Sequence, residues 1–482
     1  MVAVGLVCRS GFALAAAPAT QPTAPGNADL QSQVNELRAE LAAVKAQQAA
    51  STTRPSDQPS AAEMTQAMHE VISDADRESQ LLDRGSDFTA GYADRRFFIA
   101  SEDGNFTFKP WIHLQIRDST NFRHDPGTTG DDIENGFELR RARLGFDGNF
   151  FTKDLTYFIN WATNRQNGTL TVTGGAGGTV TSPVGGLPVL EEAWMKYRLH
   201  DTPWFIHVGQ MHDPLDHENI IGSKYRAPEA SLQGDIFGNT DTFTQAATFG
   251  YYDASLPVRF EAGVTDGIRA ANTGFVDYPL GGVAYDGGVA GRIEYKITGN
   301  WKDYDQLTAY NDKTDLLVVG SGYDYSYGGA YYTLSHTVDL QYGSPNGLFA
   351  YLCYFGRYTN HQRGIPLTST VSASFNGGAS DTGADTYEPS ALAEIGYMVT
   401  PKLEPFARYE YMYLQGTPAG SQNNVQEISI GANYYIYGHN VKLTGQAMYL
   451  PHGIPIGDDG SDVEASNGKA ELVFISQLQF LL

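Results

Sequence analysis

From Phe106 to the end of the chain, apolar and polar residues alternate with a period of two. Phe106, Phe108, Pro110, Ile112, Leu114 and Ile116 interleave with Thr107, Lys109, Trp111, His113, Gln115 and Arg117. An extended strand with that pattern has one apolar face and one largely polar face. The pattern returns at Val258/Phe260/Ala262/Val264, at Gly291/Ile293/Tyr295/Ile297 and at Ile428/Ile430/Ala432/Tyr434/Ile436. Segments of about ten such residues cross a bilayer when tilted. A soluble sandwich edge does not account for so many lengthy two-faced strands in one chain.

The connections carry a second rhythm. Short turn-like links fall at 151–154, 200–203, 254–257, 343–347, 400–402 and 438–440. Long Gly-, Asp- and Asn-rich links fall at 123–135, 165–188, 213–241, 268–286, 359–389 and 451–468. Short links on one side and long ones on the other are the asymmetry of outer-membrane barrels, with periplasmic turns and external loops. The expected fold is an all-β transmembrane barrel of about 16 antiparallel strands, with both ends periplasmic; the weakly patterned stretch 299–314 leaves 18 open. The closing face of Leu472, Phe474, Leu478, Phe480 and Leu482 is similar to the terminal strand by which such barrels are inserted.

Composition agrees with this class. Of 482 residues, 18% are charged, 12% are aromatic and 53 are Gly, and the formal net charge is −23. So acidic a chain is not a nucleic-acid binder unless it carries a local basic patch. Cys8 and Cys353 make no disulfide framework, and no zinc-type spacing occurs. No cofactor or metal is expected. Asp458-Asp459-Gly460-Ser461-Asp462-Val463-Glu464 lacks the EF-hand spacing and reads as a solvated external loop, with a calcium site as the alternative.

Before the barrel, 1–19 resembles a secretory signal, with Arg9 inside its apolar stretch as a departure. Leu30, Val34, Leu37, Leu41 and Val44 form a heptad seam within 28–49, read as a coiled coil for self-association or as a frayed amphipathic helix. Residues 50–60 read as a linker and 61–84 as a second helical segment, so a short N-terminal helical region precedes a barrel over 97–482.

Three stretches give this barrel a resemblance. Phe97-Phe98-Ile99-Ala100-Ser101-Glu102-Asp103-Gly104-Asn105-Phe106, Gly136-Phe137-Glu138-Leu139-Arg140-Arg141-Ala142-Arg143-Leu144-Gly145-Phe146 and the segment Trp204 to Glu218 resemble the first strand's lead-in, the second strand and the strand entering the third loop of the phosphate-selective porin O and P family. The resemblance implies a homotrimer in the outer membrane, each channel narrowed by an inward-folded third loop and lined by cations that attract anions. A trimeric heptad seam follows from the same resemblance.

Alternation places Lys109, Arg117, Arg141, Arg143, Lys196, Arg198, Arg259, Arg292, Lys296, Arg408 and Lys442 on the lumen face. Asp147, Glu192, Glu261, Glu294, Asp339, Glu394, Glu404, Glu410, Glu427 and Glu471 share it, so the wall is nearly balanced. Where the apolar phase flips from Phe137/Leu139 to Leu144/Phe146, a β-bulge would turn two or three of the guanidiniums of Arg140, Arg141 and Arg143 inward. They form an anion-attracting patch with Lys109, His113 and Arg117, or they pair with Glu138, Asp147 and neighbouring acids.

The expected constriction loop, 213–241, brings Asp213, Asp216, Glu218, Glu229, Asp235 and Asp241 against Lys224 and Arg226. His212 stands where the family commonly has Lys, and a mostly neutral imidazole with an acidic loop is a poor phosphate ligand. The expected function is therefore a water-filled channel for small hydrophilic solutes and ions, with anion or phosphate preference open. No nucleotide loop, G-x-S-x-G elbow or H-E-x-x-H occurs, and Gly174 to Gly178 is low-complexity, so no enzyme is expected. The alternative is an envelope tether, with the barrel anchoring a coiled coil that meets periplasmic or cell-wall partners.

Overall fold

The computed structural model describes residues 88–482, apart from 94–95, 125–131, 164–167, 174–178, 185–187, 227–229, 239–242, 269–284, 329–330, 362–384, 416–422, 456–459 and 467. The expected signal, coiled coil, linker and second helical segment lie outside the described residues. A hairpin of β1 (Phe88–Ala93) and β2 (Arg96–Ser101) comes first. Then follow β3 (Thr107–Arg123), β4 (Ile133–Asn149) and β5 (Leu155–Thr163), and a small separate hairpin of β6 (Gly168–Thr173) and β7 (Thr179–Val184). The wall continues with β8 (Pro188–Arg198), β9 (Trp204–His212), β10 (Phe243–Tyr252), β11 (Val258–Thr265) and β12 (Gly287–Thr298). It is completed by β13 (Leu316–Tyr327), β14 (Tyr331–Gly343), β15 (Leu348–His361), β16 (Thr386–Tyr397), β17 (Leu403–Tyr413), β18 (Asn424–Tyr435), β19 (Val441–Leu450) and β20 (Glu471–Leu481).

Each of the sixteen strands β3–β5 and β8–β20 pairs antiparallel with its neighbours, and β20 returns to β3 with Gln477 opposite Arg117 and Gln479 opposite Gln115. Closure removes the sheet edges, which is what a spanning sheet requires in lipid. The two further strands of the sheet are β1 and β2, joined to β3 at Ile99–Phe108 and Ala100–Thr107. The stretch 299–314 holds no extra strand pair. It is a turn on the short-link side with one helical turn, α1 (Trp301–Tyr304), capped by the Asn300 side chain accepting from the Asp303 N–H.

The period-two pattern sorts the faces. On β18, Ile430 is 61% exposed on the outside while its neighbour Ser429 is fully buried inside. Ile112, Ile116, Leu144, Val264, Val289 and Ile293 stand on the same outer surface, which suits an apolar band facing lipid. The phase flip in β4 is a bulge: Gln115 faces Arg141 and Ile116 faces Leu139, so Arg140 is the extra residue. Arg140 and Arg141 are both buried inside, and Phe137 and Leu139 stay outside.

Candidate pore and constriction

The link between β9 and β10 folds into the barrel. Asp213 accepts from the Leu215 N–H at 3.0 Å, turning the chain inward. Leu215 then lies against the backbone of β13 at Gly322, where any Cβ would collide with its carbonyl, so glycine is what admits the loop there. The Leu215 carbonyl accepts from Thr337 Oγ1 at 2.7 Å. A second helical turn, α2 (His217–Ile220), follows, with His217 Nε2 at 3.0 Å from Gln341 Oε1. Burial pushes the His217 imidazole down to about 3, leaving it neutral, and the ring stacks on Tyr304 at 4.0 Å.

Farther along, the loop reaches the opposite wall. Arg143 donates to Ser223 Oγ at 3.1 Å, Gln479 to the Lys224 carbonyl at 3.2 Å and Lys442 to the Arg226 carbonyl at 2.6 Å. The Gln233 N–H donates to Glu410 at 2.7 Å, Gln233 Nε2 to Ser390 at 2.8 Å, and Phe237 stacks on Phe355. Buried Glu218 accepts from Arg226 at 3.2 Å and from the Ser231 N–H at 2.9 Å.

The turn 299–315 enters from the short-link side and meets this loop. The Leu307 N–H donates to the Tyr225 carbonyl at 2.9 Å, and Leu307 bridges Arg226. Glu404 on β17 holds the turn by accepting from Thr308 Oγ1 at 2.9 and 3.0 Å and from the Ala309 N–H at 2.7 Å. One flank of the lumen is thus filled from both ends, and open volume remains beside β3–β5 and β8–β12.

Two cavities occupy that open flank and share Thr156 on their linings. The larger, about 570 Å³, has Lys153, Lys196, Arg198, Arg259 and Arg292 against Asp154, Glu261, Glu294 and Asp305. The smaller, about 480 Å³, has Arg96, Lys109 and Lys224 against Asp147. Cations exceed carboxylates in both, although the whole chain carries −23.

The lumen cations expected from sequence occupy different settings. Lys109 lines the smaller cavity. Lys196 lies 3.9 Å from Glu261 and 4.5 Å from the Phe205 ring centroid, and Arg198 pairs with Asp154 at 2.6 Å near the rim. Arg292 reaches Asp339 at 2.8 Å and Glu294 at 2.6 Å, and Lys296 stands 5.0 Å from the Trp301 ring. Arg408 pairs with Glu410 at 2.8 Å beneath the inward loop. Arg117 is fully buried, donating to Asp462 at 2.8 Å and to the Gly460 carbonyl at 3.0 Å. Arg140 donates to that same carbonyl at 3.1 Å, and Arg141 to Gln115 at 2.8 Å. Arg143 pairs with Glu191 at 2.7 Å.

The bulge therefore turns the arginines inward but distributes them. Arg117 and Arg140 meet the β19–β20 link, whereas Arg143 ties the constriction loop to the wall. That link does not extend wholly into solvent at Asp462, which also accepts from Ser119 at 2.6 Å; among the described residues no group of three or more metal-ligating side chains is found. His212 sits 3.7 Å from Glu192. Asp213, Asp216, Glu218 and Asp235 are buried, so the loop's described acids face protein while Lys224 lines a cavity. Glu229 and Asp241 lie outside the described residues.

Two contributors escaped the sequence reading. Arg96 reaches Asp147 from the hairpin, with a contact at 3.3 Å, and donates to the Lys109 carbonyl at 2.9 Å. The short apolar run Phe97-Phe98-Ile99-Ala100 directly after Arg96 is the signal for a strand there. The turn 299–315 is marked by Asn300 three residues before Asp303 and by Trp301, Tyr304 and Leu307 at helical spacing, a capped turn with one apolar side.

The family model described as Phosphate-selective porin O and P matches residues 113–278. The chain resembles that porin family. The matched residues run from β3 through the inward loop and past β11. No curated protein matches. Among solved structures, the barrel is similar to OmpT of Vibrio cholerae, at 12% identity, 78% of this chain, 98% of that one and a TM-score of 0.48. An anion-selective porin from Comamonas acidovorans is similar at 10% identity, with 78% and 99% covered and a TM-score of 0.47. The outer-membrane channel DcaP of Acinetobacter baumannii is similar at 12% identity, with 79% and 99% covered and a TM-score of 0.47. The resemblance to the porin family over residues 113–278 and the closed barrel support an outer-membrane channel.

Proposed function

We propose that this protein is an outer-membrane porin that passes small hydrophilic solutes and ions with a preference for anions. The observation that carries the reading is the open flank left by the inward loop, where Arg96, Lys109 and Lys224 face one carboxylate side chain, Asp147, and the loop's described acids are buried away from it. Cations in a narrow passage attract anions and replace part of their hydration shell. Phosphate as the particular solute rests on the family resemblance alone. Assembly as a homotrimer, with outer lipid around the three barrels and the N-terminal segment in the periplasm, belongs to the same reading.

Reconstitution into planar bilayers tests it. Discrete conductance steps in KCl, together with swelling of proteoliposomes in small sugars and amino acids, are expected. A protein that inserts and folds yet passes neither ions nor solutes would refute the channel.

A further inference from the structure

The smaller cavity has a lining that simple anion passage does not require. Trp111 on β3, Phe158 on β5 and Trp194 on β8 all point inward and form a row. Trp111 and Phe158 stack at 5.8 Å and 30°, and Phe158 and Trp194 at 5.5 Å and 11°. The strand between β3 and β5 contributes no side chain to this row. Its Gly145 lies opposite Trp111, and a Cβ there would strike both the indole and the Ile159 carbonyl. Glycine therefore lets Trp111 lean across β4 onto Phe158. On β18–β20 the inward apolar side chains Val425, Met448, Leu450, Val473 and Ile475 are covered, packing in one cluster with Leu232, Ile236 and Phe237 of the inward loop, whereas the row of rings lines open volume and leaves apolar ring edges for something other than water to cover.

Cations flank the row. Lys224 Nζ stands 5.4 Å from the Trp111 ring centroid and 5.1 Å from that of Tyr225, and Lys196 Nζ stands 5.6 Å from that of Trp194. We propose that this cavity is a binding station for planar aromatic carboxylates, a reading that rests on the channel function above. The ring of such a solute packs against the lumen-facing edges of Phe158 and Trp194, while its carboxylate meets the Lys109 and Lys224 ammonium groups. At about 480 Å³ the cavity is in the range that encloses a small organic ligand. Inorganic phosphate has the charge without the flat face, and a neutral aromatic has the face without the charge.

Benzoate is the probe, added to the full-length protein in bilayers beside acetate, phosphate, cyclohexanecarboxylate and benzyl alcohol. Benzoate should interrupt the KCl current at concentrations about tenfold below those of the other four, the factor that one good aromatic contact supplies. Phe158→Leu keeps apolar bulk and should bring benzoate to the level of cyclohexanecarboxylate; Lys224→Met should weaken benzoate and leave benzyl alcohol unchanged. Saturation-transfer NMR on the detergent-solubilised protein reads the same contact without conduction, and should show saturation of the benzoate ring protons that falls in Phe158→Leu. Equal block by benzoate and acetate, or benzoate selectivity that survives Phe158→Leu in a folded barrel, would overturn the station. Absence of KCl conductance would overturn the channel and leave the NMR contact to decide the station.

Discussion

Lys224 projects from the inward loop between the Trp111 and Tyr225 rings, and burial, with the Arg96 charge beside it, brings its ammonium down to about 8. It is charged below that pH and neutral above it, so anion preference should decline between pH 7 and 9. Lys224→Met should show the lower preference at every pH, and a wild-type preference that is flat through this range would contradict the assignment. His200, exposed at the short-link rim, is raised from 6.5 by its hydrogen bond to Asp154 and by the Asp201 charge. That pair's contribution is present below the ordinary His value and lost as pH rises through the raised one. Asp154 is lowered by its hydrogen bonds to His200 and Arg198, so its share is present above the ordinary Asp value and lost only as pH falls through its depressed one. An NMR titration should put the His200 midpoint above 6.5 and lower it toward that value in Asp154→Asn, with Asp201 still in place. Arg292 differs in kind, because Asp339 and Glu294 are buried with it. Arg292→Met leaves them without their shared guanidinium, a loss of about 3–5 kcal/mol, read as a lower temperature for conversion of the folded band on a gel.

At the scale of elements, the turn 299–315 and the loop 213–242 hold each other across the lumen through Leu307, Tyr225 and Arg226. Glu404 anchors the turn to the wall, and hydrogen bonds to a charged acceptor contribute about 1.5–3 kcal/mol each. Glu404→Ala should therefore loosen the turn, raise single-channel conductance and admit larger sugars in swelling assays; unchanged conductance in a folded variant would mean that the turn does not narrow the path. Strands, short links and the Arg140 bulge are legible in the sequence because alternation is a local property and a phase flip reports its own interruption. The inward course of the turn 299–315 and of Asp462 is not, since both depend on partners far along the chain: Glu404 for one, Arg117 and Ser119 for the other. Alternation likewise puts Arg408 and Lys109 on one face, while only the fold shows that the first lies under the loop and the second beside open volume.

For the molecule as a whole, closure of β20 onto β3 gives the outside to lipid and the inside to charge. The −23 of the chain and the cationic surplus of the open flank are compatible because buried loop carboxylates and the wall pairs beneath the loop do not line the two cavities. The coiled coil expected over 28–49 and the tether built on it concern residues outside those described. The central claim is that cations decide what enters, and the reversal potential of reconstituted channels under a KCl gradient measures this directly. The account predicts an anion-selective potential that moves toward zero in Lys224→Met. A cation-selective or zero potential in the unmodified protein would contradict it.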